Sequence, residues 1–115
     1  MLLREIVEIL NADVVCGDNL DIDVQTACGS DLMSDALAFV KEQAVLLTGL
    51  LNPQSIRTAE MLDMRCVIFV RGKKPTDEMI ALAKDLDIVV LATSFHMFTA
   101  CGRLYKAGLC GGEDS

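Results

Sequence analysis

The sequence predicts an α/β fold: a three-layer α/β/α sandwich around a mixed, mostly parallel sheet of about five strands. Three observations carry this. Leu47-Thr48-Gly49-Leu50-Leu51-Asn52-Pro53 and Val70-Arg71-Gly72-Lys73-Lys74-Pro75 are near-repeats. In each, an apolar run ends at a Gly, a Pro follows, and a helical pattern begins. A third apolar run, Ile88 to Ala92, opens through Thr93-Ser94-Phe95-His96 into another helix. Strict strand-helix alternation of this kind belongs to parallel strands joined by right-handed crossovers, and it sets three turns along one edge of the sheet.

Leu3, Ile6, Val7 and Leu10 share one helical face, and Arg4 and Glu8 pair four residues apart on the other. Asp13 to Cys16 is a short strand closed by the turn cluster Gly17-Asp18-Asn19. Ile22 to Cys28 alternates apolar and polar residues, which predicts a half-exposed strand. These two early strands are expected to lie antiparallel to each other or to the sheet. Gly29-Ser30-Asp31 breaks the second. A helix with Leu32, Ala36, Phe39 and Val40 on one face follows, its start capped by Ser30 or Asp31.

Ala44 to Leu47 is a continuous apolar run, as a strand buried on both faces requires. Asn52 caps the next helix and Pro53 fits its first turn, with Ile56, Ala59 and Leu62 inward. Cys66 to Val70 is the next strand. Pro75-Thr76-Asp77-Glu78 starts a helix with two acids where the helix dipole favours them, and Met79, Ile80, Ala83 and Leu86 face inward. Ile88 to Leu91 is the last strand. The final helix turns Phe98, Cys101, Leu104 and Tyr105 inward and stops near Gly108. Residues 1–108 form one domain and 109–115 a flexible acidic tail.

The chain has 115 residues, 52% of them hydrophobic, with no Trp and one Tyr. That aliphatic excess is met by a well-filled three-layer core or by burial against a second subunit. A net charge of −7 opposes nucleic-acid binding, which needs clustered Lys and Arg. There is no apolar run of about 18 residues and no signal-peptide core, so a cytosolic location is expected. The five cysteines have no C-x-x-C pair, which leaves a zinc or cluster site without support and predicts free thiols. Cys110, within Gly108-Leu109-Cys110-Gly111-Gly112, is expected to be exposed.

Ligands of open α/β sheets gather beyond the carboxyl ends of the strands. Thr48, Gly49 and Asn52, then Arg71, Gly72 and Lys73, then Thr93 and Ser94 fall there. Helix N-termini behind these turns attract anions, and Arg71, Lys73, Lys74 and Arg57 add positive charge. Neither nucleotide-loop signature, G-x-G-x-x-G or G-x-x-x-x-G-K-[ST], is present. His96, the one histidine, has no third group fixed beside it and Ser94, so it reads first as packing and second as a proton carrier. Asp18, Asp21, Asp23, Asp31 and Asp35 read first as solvated charge and caps. A divalent-ion site of Asp31 and Asp35 with Ser30 or Ser34 is the alternative.

Thr48-Gly49-Leu50-Leu51-Asn52-Pro53-Gln54, Ile56-Arg57-Thr58-Ala59, Arg71-Gly72-Lys73-Lys74-Pro75 and the Thr93-Ser94-Phe95 turn together resemble the DRTGG domain. The earlier segment Ala27 to Asp35 continues the likeness. The chain looks most like short stand-alone members from anaerobic bacteria, often encoded near iron-only hydrogenase components. It departs from the naming motif, with Arg71-Gly72 where other members have Gly-Gly. The family is similar in fold to the N-terminal domain of HPr kinase/phosphorylase. It also occurs as an accessory domain in phosphotransacetylases and in pyrophosphatases with CBS domains. The resemblance implies a non-catalytic regulatory or ligand-sensing homodimer without a cofactor, binding a small phosphorylated or nucleotide ligand. The alternative is an interaction or assembly subunit of an anaerobic iron hydrogenase or electron-transfer system.

Overall fold

The strands that the apolar runs predict are all present, and their order explains the edge they build. The structure is a computed structural model, and it describes residues 1–38 and 43–111. In chain order the elements are α1 (Leu3–Leu10), β1 (Asp13–Cys16), β2 (Thr26–Gly29), α2 (Met33–Ala36), β3 (Ala44–Thr48), α3 (Pro53–Met61), β4 (Cys66–Phe69), α4 (Asp77–Asp85), β5 (Val89–Ala92) and α5 (Met97–Lys106). The five strands form one sheet in the order β1-β5-β4-β3-β2. β2, β3, β4 and β5 are parallel, and β1 runs antiparallel to β5 at the far edge.

The early strands therefore differ from each other in sense. β1 is antiparallel to the sheet and β2 joins the parallel set at the opposite edge, so the two run opposite to each other, one of the two expected arrangements, without being paired. β2 is also shorter than the alternation over 22–28 predicts. Residues 22–24 hold the start of α1 instead: the Ile22 carbonyl accepts from Leu3 N–H at 3.0 Å, and Val24 N–H donates to the Met1 carbonyl at 2.8 Å. The alternation is real, but its partner is a helix start rather than a strand.

Each sheet face carries its own core. On one side Leu3, Ile6 and Leu10 of α1 and Ala100 and Leu104 of α5 cover Val45, Leu47, Ile68 and Leu91. On the other, Met33, Ile56, Ala59, Met79 and Ala83 from α2, α3 and α4 cover Leu46, Val67, Phe69 and Val90. Residues 44–48, 66–69 and 89–92 are buried throughout, as continuous apolar runs require. Burying side chains of this size is worth about 1.5–3 kcal/mol each, the main favourable term in this fold.

Three local expectations change. The inward stripe of α5 is Met97, Ala100, Cys101 and Leu104, while Phe98 is 90% and Tyr105 60% exposed. The helix is turned so that Ala100 and Leu104 enter the core and the Cys101 and Met97 sulfurs lie over Gly29, 2.9 and 3.3 Å from where a Cβ would stand there. Arg4 pairs with Asp21 across the turn rather than with Glu8. Leu109 is buried, and the Cys110 carbonyl accepts from Ala27 N–H at 3.0 Å, so residues 109–111 dock along the outer edge of β2 rather than extend as a tail. Cys110 is consequently half-buried. Phe39 and Val40 of the predicted α2 face, and residues 112–115 of the predicted tail, lie outside the described residues.

Candidate functional site

Parallel strands deliver their carboxyl ends to one side, so the turns after β2, β3, β4 and β5 all meet at a single pole. The turn after β4 is the most constrained. Arg71 and Gly72 both have positive φ, 66° and 71°, as the central pair of a primed turn does. Arg71 N–H donates to the Phe95 carbonyl at 2.8 Å and Gly72 N–H to the Thr93 carbonyl at 2.9 Å. The turns after β4 and β5 are thereby locked together.

That lock sends the Arg71 side chain back across β3. Its Nη2 donates to the Gly49 carbonyl at 3.3 Å and lies 3.7 Å from Asp31 Oδ2. Asp31, from the turn after β2, accepts the Gly49 N–H at 2.6 Å and stands 3.4 Å from the Thr48 hydroxyl. Three strand ends thus converge on a small polar cluster: Thr48 and Gly49, Arg71, and Asp31. Thr48 is fully buried, and its Oγ1 also accepts the Leu50 N–H at 3.1 Å, which fixes its direction. Gly49 leaves room for the Arg71 guanidinium, since a Cβ there would stand 2.7 Å from the Arg71 Cζ and push that side chain aside.

The other expected site residues divide by what already occupies them. Thr93 is buried; its hydroxyl donates to the Leu10 carbonyl at 2.7 Å and accepts the Phe95 N–H at 3.3 Å. It organises the turn and is not presented to a ligand. The Asn52 side chain caps α3 through Gln54 N–H at 2.8 Å. Gly72, Lys73 and Ser94 are exposed at the same pole. Lys74 is drawn away to Asp13 at 3.6 Å, an exposed pair worth little. Lys73 makes no ion pair among the described residues. Arg57 is exposed on α3, and Arg103 stacks over the Phe95 ring at 4.3 Å.

Asp31, which reads from its place beside a helix start as a cap, serves the strand ends instead. It does not cap α2; Leu32 occupies the cap position and makes no side-chain cap bond. The Ser30 hydroxyl forms a local turn, accepting the Leu32 N–H at 3.1 Å. Nor do these acids build a metal site: among the described residues no three His, Cys, Asp or Glu side chains are grouped to hold an ion. His96 sits exposed at the start of α5 without a side-chain cap bond.

A second concavity lies at the opposite pole. It is an open cleft of about 390 Å³ lined by Gly17, Asp18, Asn19, Arg65, Lys84 and Asp87, among others. Its charges are of both signs, and Arg65 already faces Asp87 at 3.8 Å. The C-terminal end of α4 points there, which disfavours anions. The donor-rich pole beyond β3 and β4 remains the candidate site.

None of the five cysteines is in a disulfide. Burial raises the thiols of Cys16, Cys28, Cys66 and Cys101 above their ordinary range, Cys66 most of all. They act as small hydrophobes.

No curated protein matches the chain. Among solved structures it is similar to the CBS and DRTGG domains of the regulatory region of Clostridium perfringens pyrophosphatase, complexed with the activator diadenosine tetraphosphate. The TM-score is 0.69 at 20% identity, over 90% of this chain and 45% of that one. The likeness is therefore one of fold, and this chain spans less than half of the neighbour. A sequence model of the DRTGG domain matches residues 5–107, nearly the whole sandwich together with the Gly49, Arg71 and Thr93 turns, and the chain belongs to the DRTGG domain family.

Proposed function

We propose that this chain is a non-catalytic regulatory domain that senses a small phosphorylated or nucleotide ligand, acting as a cytosolic homodimer. The observation that carries the reading is the convergence of the Gly49 N–H, the Thr48 hydroxyl and the Arg71 guanidinium at one pole of the sheet. A backbone N–H beside a guanidinium is an anion-recognition pair. Lys73 and Ser94 on the neighbouring turns extend it toward a ligand larger than one phosphate. No nucleophile stands against a base here, which favours binding over reaction. The fold neighbour is a regulatory region with a nucleotide activator, which supports the ligand class without identifying it.

The test is calorimetric titration with ATP, AMP and diadenosine tetraphosphate. Binding to the wild type is expected for at least one of them. Arg71→Ala together with Lys73→Ala is expected to weaken it about tenfold or more, since charge-assisted contacts are worth about 1.5–3 kcal/mol each. Unchanged affinity in that variant would place the ligand elsewhere.

A second reading, an assembly subunit of an iron hydrogenase or electron-transfer system, is favoured by one observation. Phe98 is 90% exposed on α5, with Tyr105 two turns along the same face. A stable complex isolated from native extract and lost on Phe98→Ser would support it.

A further inference from the structure

The Asp31 carboxylate occupies the seat that this reading gives to a ligand anion. The donors come from the ends of β3 and β4, and the acceptor they meet belongs to the turn after β2. Gly49 N–H lies 2.6 Å from Asp31 Oδ1, the Thr48 hydroxyl 3.4 Å from the same oxygen, and Arg71 Nη2 3.7 Å from Oδ2. A carboxylate and a phosphoryl group make the same demand of such a set: anionic oxygens facing a backbone N–H, a hydroxyl and a guanidinium.

The two halves of the contact differ in how firmly they are held. On the donor side Thr48 is fully buried, Gly49 is buried, and the Arg71 backbone is tied to Phe95. On the acceptor side the Asp31 side chain is 54% exposed. Its turn is closed on itself, the Ser30 hydroxyl donating to the Leu32 carbonyl at 3.0 Å and accepting its N–H at 3.1 Å. The turn hangs from the sheet by the Ser30 N–H on the Leu47 carbonyl, 3.0 Å. A rotation about that point would lift Asp31 from Gly49 and leave the two Ser30–Leu32 bonds intact.

We propose that Asp31 is a built-in competitor: its carboxylate fills the anion seat of the unliganded domain, and a ligand phosphoryl group binds by displacing it. The inference rests on the ligand site proposed above. The exchange is conservative, because Gly49 N–H and Arg71 trade one anionic oxygen for another and neither is left unpaired. Affinity is held down by the fraction of molecules in which Asp31 is seated, and displacement of the intact Ser30–Leu32 turn reports occupancy to α2.

The experiment titrates inorganic pyrophosphate and ATP, with adenosine as control, into wild type, Asp31→Ala, Asp31→Asn and the Asp31→Ala/Arg71→Ala double variant. Asp31→Ala is expected to bind pyrophosphate and ATP about tenfold or more tightly than wild type, with Asp31→Asn changed in the same direction by less. Adenosine is expected to show no gain, and the double variant to lose the gain. Equal or weaker affinity of both Asp31 variants, with wild type still binding, overturns the competitor and leaves the ligand site standing. A lowered melting temperature with no gain in affinity marks Asp31 as a structural cross-link and overturns it equally. Absence of pyrophosphate and ATP binding from every variant overturns both the competitor and the site. Asp31→Asn keeps an acceptor on Gly49, so the comparison holds even where Asp31→Ala does not fold.

Discussion

Gly49 has no room for a side chain, and the reason lies 22 residues away. A Cβ at this position would overlap the Arg71 guanidinium, the free end of a flexible side chain. Gly49→Ala is therefore expected to fold with a melting temperature close to wild type while moving Arg71 off its carbonyl. Ligand affinity measured by calorimetry is expected to fall about tenfold, the cost of one misplaced charge-assisted contact. At this scale the sequence marks Gly49 as a turn, but it does not show what the turn must admit. Asp31 teaches the same lesson. Next to a helix start it reads as a cap, because caps are local. Its partners, Thr48, Gly49 and Arg71, are brought to it only by the pairing of β2, β3 and β4. The residues that local chemistry explains fully, Asn52 on α3 and Thr76 on α4, accept the bonds their positions predict.

Four of the helices in this protein end by one device. After α1, α3, α4 and α5 come Asn11, Asp63, Asp87 and Gly108, all at positive φ. The residue after each sends its N–H back five positions: Ala12 to Val7, Met64 to Ala59, Ile88 to Ala83, and Leu109 to Leu104, at 2.8–3.0 Å. This is the Schellman arrangement, an apolar residue tucked under the helix just past a left-handed one. Gly108 was readable as a stop. Asn11, Asp63 and Asp87 were less so, because Asn and Asp adopt this region at a modest cost that only the backbone reveals. Asp63→Gly removes that cost and is expected to raise stability by up to about 1 kcal/mol in denaturant unfolding, part of it offset by the freer unfolded chain. Helix existence was legible from periodicity, whereas helix phase was not always so. In α5 the predicted and observed inward faces share Cys101 and Leu104, and the observed one adds Met97 and Ala100 and leaves Phe98 and Tyr105 outside.

Across the whole molecule, the alternation of the second half specified the parallel strands and the pole they share. The first half left the sense of β2 open, because half-exposed alternation is common to edge strands of either direction. The sandwich also sets a limit at high pH. Cys66 is fully buried in the core, and desolvation raises its thiol far above the ordinary 9.0. The unfolded chain ionises above that value while folded Cys66 keeps its proton. Stability is therefore fully present below pH 9 and declines as pH rises beyond it, by about 1.4 kcal/mol per unit for this one group. Urea unfolding between pH 8 and 10.5 is expected to show the decline, and Cys66→Ala to reduce its slope. The homodimer proposed above predicts a mass under native conditions of twice the 12.5 kDa of the chain, and a monomer mass would overturn it.

The docking of residues 109–111 on β2 has a topological consequence. The Met1 ammonium donates to the Val24 carbonyl at 2.9 Å, and Gly111 approaches the Ala27 carbonyl, so the two ends of the described chain meet three residues apart along one segment. A polypeptide that leaves the domain where it came in can be closed into a ring and reopened elsewhere. A circular permutant joined by a short Gly-Ser linker and opened between Asp18 and Asn19, in an exposed turn remote from Arg71, is expected to retain the circular dichroism spectrum and the ligand affinity of the parent.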